Sequence, residues 1–254
     1  MNEHLRSAIL ALQFLTRFPT PQLKDFRPEE LTKSAIWFPA VGLLIGALLV
    51  VVLDLFGKLD PWAAAALTLV FWVWITGALH LDGLSDLADA IGAAHRDPAR
   101  FHAVLKDPHT GTFGAVVTVL QLAVKLVFLM LLAEAGMAWV LLAICAWARL
   151  GPLAWSLWLP VLKLEGAGAS AESGTGERFA WAIEVRHVFI WAVLLAPSIL
   201  LSPALLVAPL AVAGWWLFLK MRLGGQTGDC LGAGIEIAES ASLACFVLLL
   251  LAGA

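Results

Sequence analysis

The chain is dominated by apolar stretches of the length that an α-helix needs to cross a bilayer, whose hydrocarbon core takes roughly 17–25 helical residues. Such stretches lie near residues 34–53, 61–80, 112–133, 138–159 and 237–253. A soluble core is too small to bury this much apolar surface, because 61% of the 254 residues are hydrophobic and only 14% are charged. The sequence therefore predicts an all-α, polytopic membrane bundle. It excludes a disordered chain, a disulfide-rich secreted domain and a nucleic-acid binder.

A further apolar block, residues 188–219, is about twice as long as one span. Ser202-Pro203 interrupts it, and proline is favoured in the first turn of a helix. Splitting the block there gives spans near 188–201 and 203–219. The predicted total is about seven spans in a single membrane-embedded domain.

The basic residues predict the orientation of these spans. With the N-terminus inside, 13 of the 16 Lys and Arg residues fall on one side, which the positive-inside rule makes cytoplasmic. One span over 188–219 would put the loop with Lys220 and Arg222 on the wrong side. The 13 residues are Arg6, Arg17, Lys24, Arg27, Lys33, Arg96, Arg100, Lys106, Lys163, Arg178, Arg186, Lys220 and Arg222.

The segment before the first span, residues 1–33, is not expected to be a signal peptide. Its apolar part, residues 5–15, is short, is broken by Gln13 and lacks a small-residue cleavage site. An interfacial helix on the cytoplasmic membrane surface fits this pattern better.

Three carboxylates follow the second predicted span. Asp82, Asp86 and Asp89 are spaced i, i+4 and i+7, which puts them on one face of a helix. Their mutual repulsion and desolvation are relieved by a hard divalent cation such as Mg²⁺. The alternative is a solvated acidic helix start, which the helix dipole favours. The Leu and Ala residues between the aspartates argue against a generally solvated face, so a metal site is the prediction.

A second acidic set lies near the end of the chain. Asp229, Glu236 and Glu239 share one face if the segment is helical throughout, and residues 224–234 contain five glycines. The glycines indicate close backbone approach, either to a ligand or between helices. The predicted topology puts both acidic sets at the cytoplasmic face. Together they predict a two-metal site for phosphoryl chemistry.

The loop at residues 106–114 opens the third span. Its Gly and Thr residues at a helix N-terminus can bind phosphate, and Lys106 adds a positive charge, although a purely structural loop remains open. Asp107 is either a metal ligand or a helix cap. A catalytic role for His109 is the less favoured alternative.

Three more polar residues need partners. Arg149 lies within a span and faces either a substrate phosphate or a carboxylate. Lys125 lies in the bundle interior or extends to the interface. His80 can bind metal, but orienting a ligand or packing is favoured.

Five blocks of the sequence are distinctive in their order and spacing. They are residues 12–19 (LQFLTRFP), 38–46 (FPAVGLLIG), 80–89 (HLDGLSDLAD), 106–114 (KDPHTGTFG) and 225–233 (GQTGDCLGA), followed by Glu236 and Glu239. Through these blocks the sequence resembles, nearly end to end, the cobalamin synthases, also called adenosylcobinamide-GDP ribazoletransferases. The Asp-Gly-x-x-Asp-x-x-Asp core alone is less specific, since it is similar to the acidic motif of CDP-alcohol phosphotransferases.

The resemblance implies a Mg²⁺-dependent transfer at the cytoplasmic face of a bacterial inner membrane. A hydroxyl of α-ribazole, or of its 5′-phosphate, attacks the cobinamide-linked phosphorus of adenosylcobinamide-GDP. GMP leaves, and adenosylcobalamin or its 5′-phosphate forms. Such reactions depend mainly on positioning and on neutralising phosphate charge.

The resemblance also implies roles for individual residues. The expected catalytic residues are Asp82, Asp86, Asp89 and Lys106, with Asp89 the preferred candidate for the base. The expected Mg²⁺ ligands are Asp82, Asp86, Asp89, Asp229, Glu236 and Glu239. The expected substrate contacts are Gly83, Gly111, Gly114, Arg149, Gly225, Thr227 and Gly228.

Two alternatives belong to other functional classes. A CDP-alcohol phosphotransferase shares the acidic core but not the flanking blocks. An ion-coupled transporter usually binds its ions near the bilayer midplane within inverted repeats, whereas here no repeat is evident and the carboxylates lie toward one face.

Overall fold

The computed structural model describes residues 2–23, 30, 33–94, 97–105, 107, 109–162 and 183–253. Within these residues the regular elements are helical, apart from one isolated bridge between Val161 and Gln226, which confirms the all-α prediction. The α-helices are α1 (Glu3–Leu15), α2 (Phe38–Gly57), α3 (Pro61–Thr76), α4 (Leu79–Ala94), α5 (Pro98–Leu105), α6 (Thr112–Glu134), α7 (Val140–Trp158), α8 (Val185–Leu201), α9 (Val207–Arg222) and α10 (Gly228–Leu251).

Helix length and composition identify a multi-pass membrane protein. In the described part of the chain, five helical segments are long and apolar enough to cross a membrane. They are Ala35–Gly57, Thr112–Glu134, Val140–Trp158, Pro203–Arg222 and Gly228–Leu251. Helices α3 and α4 meet the same criterion only together, and α8 is apolar but has 17 residues. The apolar block at 188–219 is divided at Ser202, which ends α8.

The predicted span at 61–80 ends earlier than expected. Helix α3 stops at Thr76, because Gly77 and Ala78 both adopt left-handed backbone angles, with φ of 62° and 57°. The chain then turns by 86° into α4. Asp82 on α4 is exposed. We therefore place α4, which carries the first acidic set, outside the membrane-spanning segments and across the end of the bundle.

The last predicted span, 237–253, begins nine residues after the start of the helix that the structure shows. Helix α10 starts at Gly228, where the Thr227 hydroxyl caps it by accepting from the backbone N–H of Cys230. The helix continues without a break to Leu251. Asp229 therefore lies in its first turn, whereas Glu236 lies inside the span.

The N-terminal segment is attached to the bundle. Helix α1 buries Leu10, Ala11 and Leu15, and it packs against α2. The Arg17 backbone N–H then donates to the Ile75 carbonyl at the end of α3, at 2.7 Å. Its position at a membrane surface stays a prediction.

Helix α7 is the most enclosed span, and α2 approaches it closely through two glycines. A Cβ atom at Gly42 would lie 2.5 Å from the Cys145 carbonyl oxygen, and one at Gly46 would lie 2.6 Å from the Leu141 carbonyl oxygen. Because these neighbours are backbone atoms, they cannot rotate away. Small residues four apart are a common device for helix contact inside membranes.

We expect Gly46→Ala to lower the free energy of unfolding by about 1–3 kcal/mol, because the added methyl group overpacks the contact between α2 and α7. The midpoint of thermal unfolding in detergent measures the change. Gly214→Ala is the matched control, since a Cβ there meets nothing within 4 Å. Equal midpoints for the two variants would contradict the close packing.

Candidate active site

The start of α10 lies directly against the acidic face of α4. Gly83 makes this approach possible, because a Cβ there would lie 3.0 Å from the carbonyl oxygen of Asp229 and 3.1 Å from its Cα. Asp82 is exposed and Asp86 is half-buried on the same helix. The structure therefore brings Asp229 to the aspartates of α4, and it gives Gly83 a packing role.

Negative charge accumulates at this junction. Burial, followed by the charges of Asp82, Asp229 and Asp89, raises the pKa of the Asp86 carboxyl to about 6. Each of these carboxylates makes ionisation of its neighbour more costly. A bound cation would remove this cost, which makes the junction a suitable place for one.

Asp89 is engaged by the start of α6. Its two carboxylate oxygens accept hydrogen bonds from the backbone N–H groups of Gly111, at 2.7 Å, and Gly114, at 2.9 Å. A carboxylate at a helix N-terminus is also favoured by the helix dipole. In this structure the amides of Gly111 and Gly114 donate to Asp89, which thereby links α4 to the start of α6. The expected phosphate contacts of the two glycines and the expected role of Asp89 as the base stay predictions.

Two glutamates and two cations form a network inside the bundle, here called the charge quartet (Lys125, Arg149, Glu236 and Glu239). The Lys125 ammonium donates to Glu236 at 2.6 Å and to Glu239 at 2.7 Å. Arg149 on α7 is paired with the other Glu239 oxygen. All four side chains are buried, and their formal charges sum to zero.

Neighbouring groups complete the quartet. The Gln121 amide donates to Glu236 at 2.8 Å and to the Ser240 hydroxyl at 2.6 Å. The Trp72 ring lies 4.2 Å from the Lys125 ammonium. Gln121 and Lys125, four residues apart on α6, are the polar pair that the sequence interpretation did not connect with the glutamates.

The quartet overturns the expected role of the glutamates as metal ligands. They lie seven and ten residues after Asp229, which is about 10 and 15 Å along a continuous helix. Both are paired with cations, so Arg149 has a carboxylate partner and Lys125 lies in the interior. Among the described residues, no group of three or more His, Cys, Asp or Glu side chains is arranged to hold a metal ion. The six expected ligands therefore do not converge.

The glycine-rich segment mainly serves packing. The Gln226 backbone N–H donates to the Pro160 carbonyl at 2.9 Å, and a Cβ on Gly225 would lie 2.6 Å from that carbonyl oxygen. Thr227 caps α10. Gly228 lines a cavity together with Asp82 and Asp229. Of the three expected substrate contacts in this segment, Gly225, Thr227 and Gly228, it is therefore the one that lies beside the acidic junction.

The loop before α6 is described only in part, and Lys106 lies outside the described residues. Asp107 accepts from the backbone N–H of His109 at 3.0 Å, and the His109 imidazole lies 2.7 Å from the same oxygen. This hydrogen bonding lowers the pKa of Asp107. The pair is exposed and closes a local turn rather than contacting the acidic junction.

Comparison with known proteins gives the family. The family described as cobalamin-5-phosphate synthase matches residues 7–247. The chain is a member of the cobalamin-5-phosphate synthase family. No solved structure matches it.

Two curated relatives in this family carry the name adenosylcobinamide-GDP ribazoletransferase. The relative from Laribacter hongkongensis is 52% identical over 241 residues, which cover 94% of this chain and 95% of that protein. The relative from Thiobacillus denitrificans is 49% identical over 242 residues, covering 94% of each chain. The residues of the acidic junction and of the charge quartet lie within the range that the family matches, residues 7–247.

We expect Lys125→Met to destabilise the protein by about 3–5 kcal/mol, because it leaves an uncompensated carboxylate inside the bundle. The double variant Lys125→Met/Glu236→Gln restores a neutral sum and should recover part of the loss. Thermal unfolding and the yield of monodisperse protein in detergent measure both effects.

The matched control is Lys220→Met, because Lys220 is exposed on α9. A double variant no more stable than Lys125→Met would show that charge balance is not what the quartet provides.

Proposed function

We propose that this chain is an adenosylcobinamide-GDP ribazoletransferase. A hydroxyl of α-ribazole, or of its 5′-phosphate, attacks the cobinamide-linked phosphorus of adenosylcobinamide-GDP, the bond from that phosphorus to GMP breaks, and GMP leaves. The observation that carries the proposal is the meeting of Asp82, Asp86 and Asp229 between α4 and α10, in a member of this family. The names of the relatives support the substrates.

The donor set at the junction fits Mg²⁺. This ion prefers carboxylate oxygens, and it usually takes only one or two of them together with waters and substrate phosphates. Asp82, Asp86 and Asp229 offer such oxygens. The negative charges of neighbouring carboxylates contribute to the raised pKa of Asp86, and a bound cation would offset those charges. One or two of these carboxylates, together with waters and substrate phosphates, would hold Mg²⁺, which when bound would neutralise phosphate charge.

The protein's own groups then position the reactants. Asp82 is exposed and within reach of a substrate that arrives from outside the bundle. The proton of the attacking hydroxyl passes to a carboxylate oxygen of Asp82, Asp86 or Asp229. Asp89 stays hydrogen-bonded to α6 and keeps α4 in place.

We further propose that the acidic junction faces the cytoplasm of a bacterial inner membrane. Helix α9 ends with Lys220 and Arg222, immediately before the loop that leads to Asp229. Basic residues at span ends favour the cytoplasmic side.

We expect Asp82→Asn, Asp86→Asn and Asp229→Asn each to lower GMP release by at least about a hundredfold, because each removes a charge at the reacting phosphate. The assay uses proteoliposomes with adenosylcobinamide-GDP, α-ribazole and Mg²⁺. Chelation should stop GMP release, and added Mg²⁺ should restore it.

Asp54→Asn is the matched control, because Asp54 is exposed near the C-terminal end of α2. Near-normal turnover in Asp82→Asn would disprove the role of this aspartate. Release of CMP from a CDP-linked donor would favour a CDP-alcohol phosphotransferase, and solute accumulation without GMP would favour a transporter.

A further inference from the structure

Arg17 is an exposed cation just after α1, in a sequence block (residues 12–19) that the proposed reaction does not yet use. Among the carboxylates that the structure describes, none forms an ion pair with it. An arginine carries five N–H donors and keeps its charge at any physiological pH. Its guanidinium is therefore available to an anion that arrives from outside the protein.

The Arg17 side chain lies against the turn that leads into α4. A Cβ atom at Gly77 would collide with the Arg17 Nε and would lie 3.2 Å from its Cδ. The backbone N–H of Asp82 donates to the carbonyl of Ala78 at 2.9 Å, so Asp82 comes one helical turn after Ala78. Because one turn of an α-helix rises only about 5.4 Å, the cation lies close to the first aspartate of α4.

A second observation puts the end of α1 beside the acidic junction. Phe14 and Leu15 of α1 line a cavity of about 140 Å³ together with Asp82 and Asp229. Arg17 follows two residues later in the chain. The acidic junction is therefore flanked by a cation on the side where α4 begins.

Arg17 also lines a separate, mainly polar cavity of about 430 Å³, with Gln13, Thr20 and Gln22 among its other lining residues. The Gln13 amide donates to the Thr20 hydroxyl at 2.8 Å and to the Pro21 carbonyl at 2.9 Å, which holds the loop after α1 in place. At about 30 Å³ per water molecule, the space holds roughly 14 waters. A phosphate group with its attached sugar is therefore small enough to enter it.

The proposed reaction creates a charge that such a cation can stabilise. When the bond from the cobinamide-linked phosphorus to GMP breaks, its electron pair stays on the bridging oxygen, which becomes a phosphate oxygen of GMP. The aspartates of the junction are themselves negative and cannot offset this charge. A guanidinium can, because it binds two phosphate oxygens with parallel N–H donors and is already in place when the charge develops.

We propose that Arg17 binds the phosphate of the departing GMP and stabilises the negative charge that this phosphate gains. The inference rests on the proposed function and adds a binding site for the donor outside both acidic sets. The proton of the attacking hydroxyl still passes to a carboxylate of the junction. Arg17 is a substrate-binding residue that contacts the donor and not the acceptor.

The first test measures kcat/KM for adenosylcobinamide-GDP in proteoliposomes. Arg17→Gln should lower it about ten- to a hundredfold, because hydrogen bonds to a charged group are lost. Arg17→Lys keeps the charge without the parallel donors and should recover only part of that loss. Arg186→Gln is the matched control with unchanged turnover, because Arg186 is exposed at the start of α8 and pairs with Glu184.

The second test measures GMP binding directly, as the dissociation constant of GMP with the detergent-solubilised protein. Arg17→Gln should weaken GMP binding about tenfold or more, and Arg186→Gln should leave it unchanged. Binding of α-ribazole should be the same in the wild type and in both variants. The midpoint of thermal unfolding is recorded for each variant, so that a loss of folded protein is recognised.

The third test identifies which phosphate Arg17 contacts. α-Ribazole and α-ribazole 5′-phosphate differ only in the 5′-phosphate of the acceptor. If Arg17 binds the GMP phosphate, Arg17→Gln should leave KM for both acceptors unchanged. A rise in KM for α-ribazole 5′-phosphate alone would assign Arg17 to the acceptor and overturn the inference.

The outcomes separate this inference from the proposed function. If the wild-type protein releases no GMP from adenosylcobinamide-GDP, the proposed function fails, and the GMP dissociation constants still test the site. If GMP is released normally and Arg17→Gln changes neither kcat/KM for the donor nor GMP binding, the inference is overturned and the proposed function stands. A lower unfolding midpoint with unchanged GMP binding would show that Arg17 only packs against Gly77, which also overturns it.

Discussion

The charge quartet is the interaction on which the rest of the structure depends. A bilayer offers no water to solvate an ion, so buried charges must neutralise one another within the protein. Lys125 on α6 and Arg149 on α7 meet Glu239 on α10 from two sides, and Glu236 completes the balance. Because each ion would be costly without its partners, the quartet fixes the rotation and depth of α10 relative to its neighbours.

The acidic junction follows from that constraint. With α10 held at Glu236 and Glu239, its first turn emerges where Asp229 meets Gly83 on α4. A second link, from Asp89 to the start of α6, holds the other part of α4. The free aspartates thus lie between two fixed points, which suits a reaction that depends on positioning.

Much of this arrangement was predictable from sequence, though not all of it. Apolar stretches of spanning length identified the membrane bundle, and the spacing of Asp82, Asp86 and Asp89 identified an acidic helical face. The turn after Thr76 was harder to predict, because Ala78 adopts a left-handed angle that favours glycine. The early start of α10 was also harder to predict, because the polar and glycine residues around it are typical of a loop. The cap formed by Thr227 shows that the helix begins there.

The sequence by itself determined that this is a membrane protein, that it is helical and which charged residues lie within or next to apolar segments. Helical spacing could place Asp229, Glu236 and Glu239 on one face, but it could not show which groups lie opposite that face. Only the tertiary structure paired the glutamates with Lys125 and Arg149 and left Asp229 beside Asp82 and Asp86. Ion pairing requires contact within a few ångströms, and those contacts join residues about 90 to 110 positions apart in the chain.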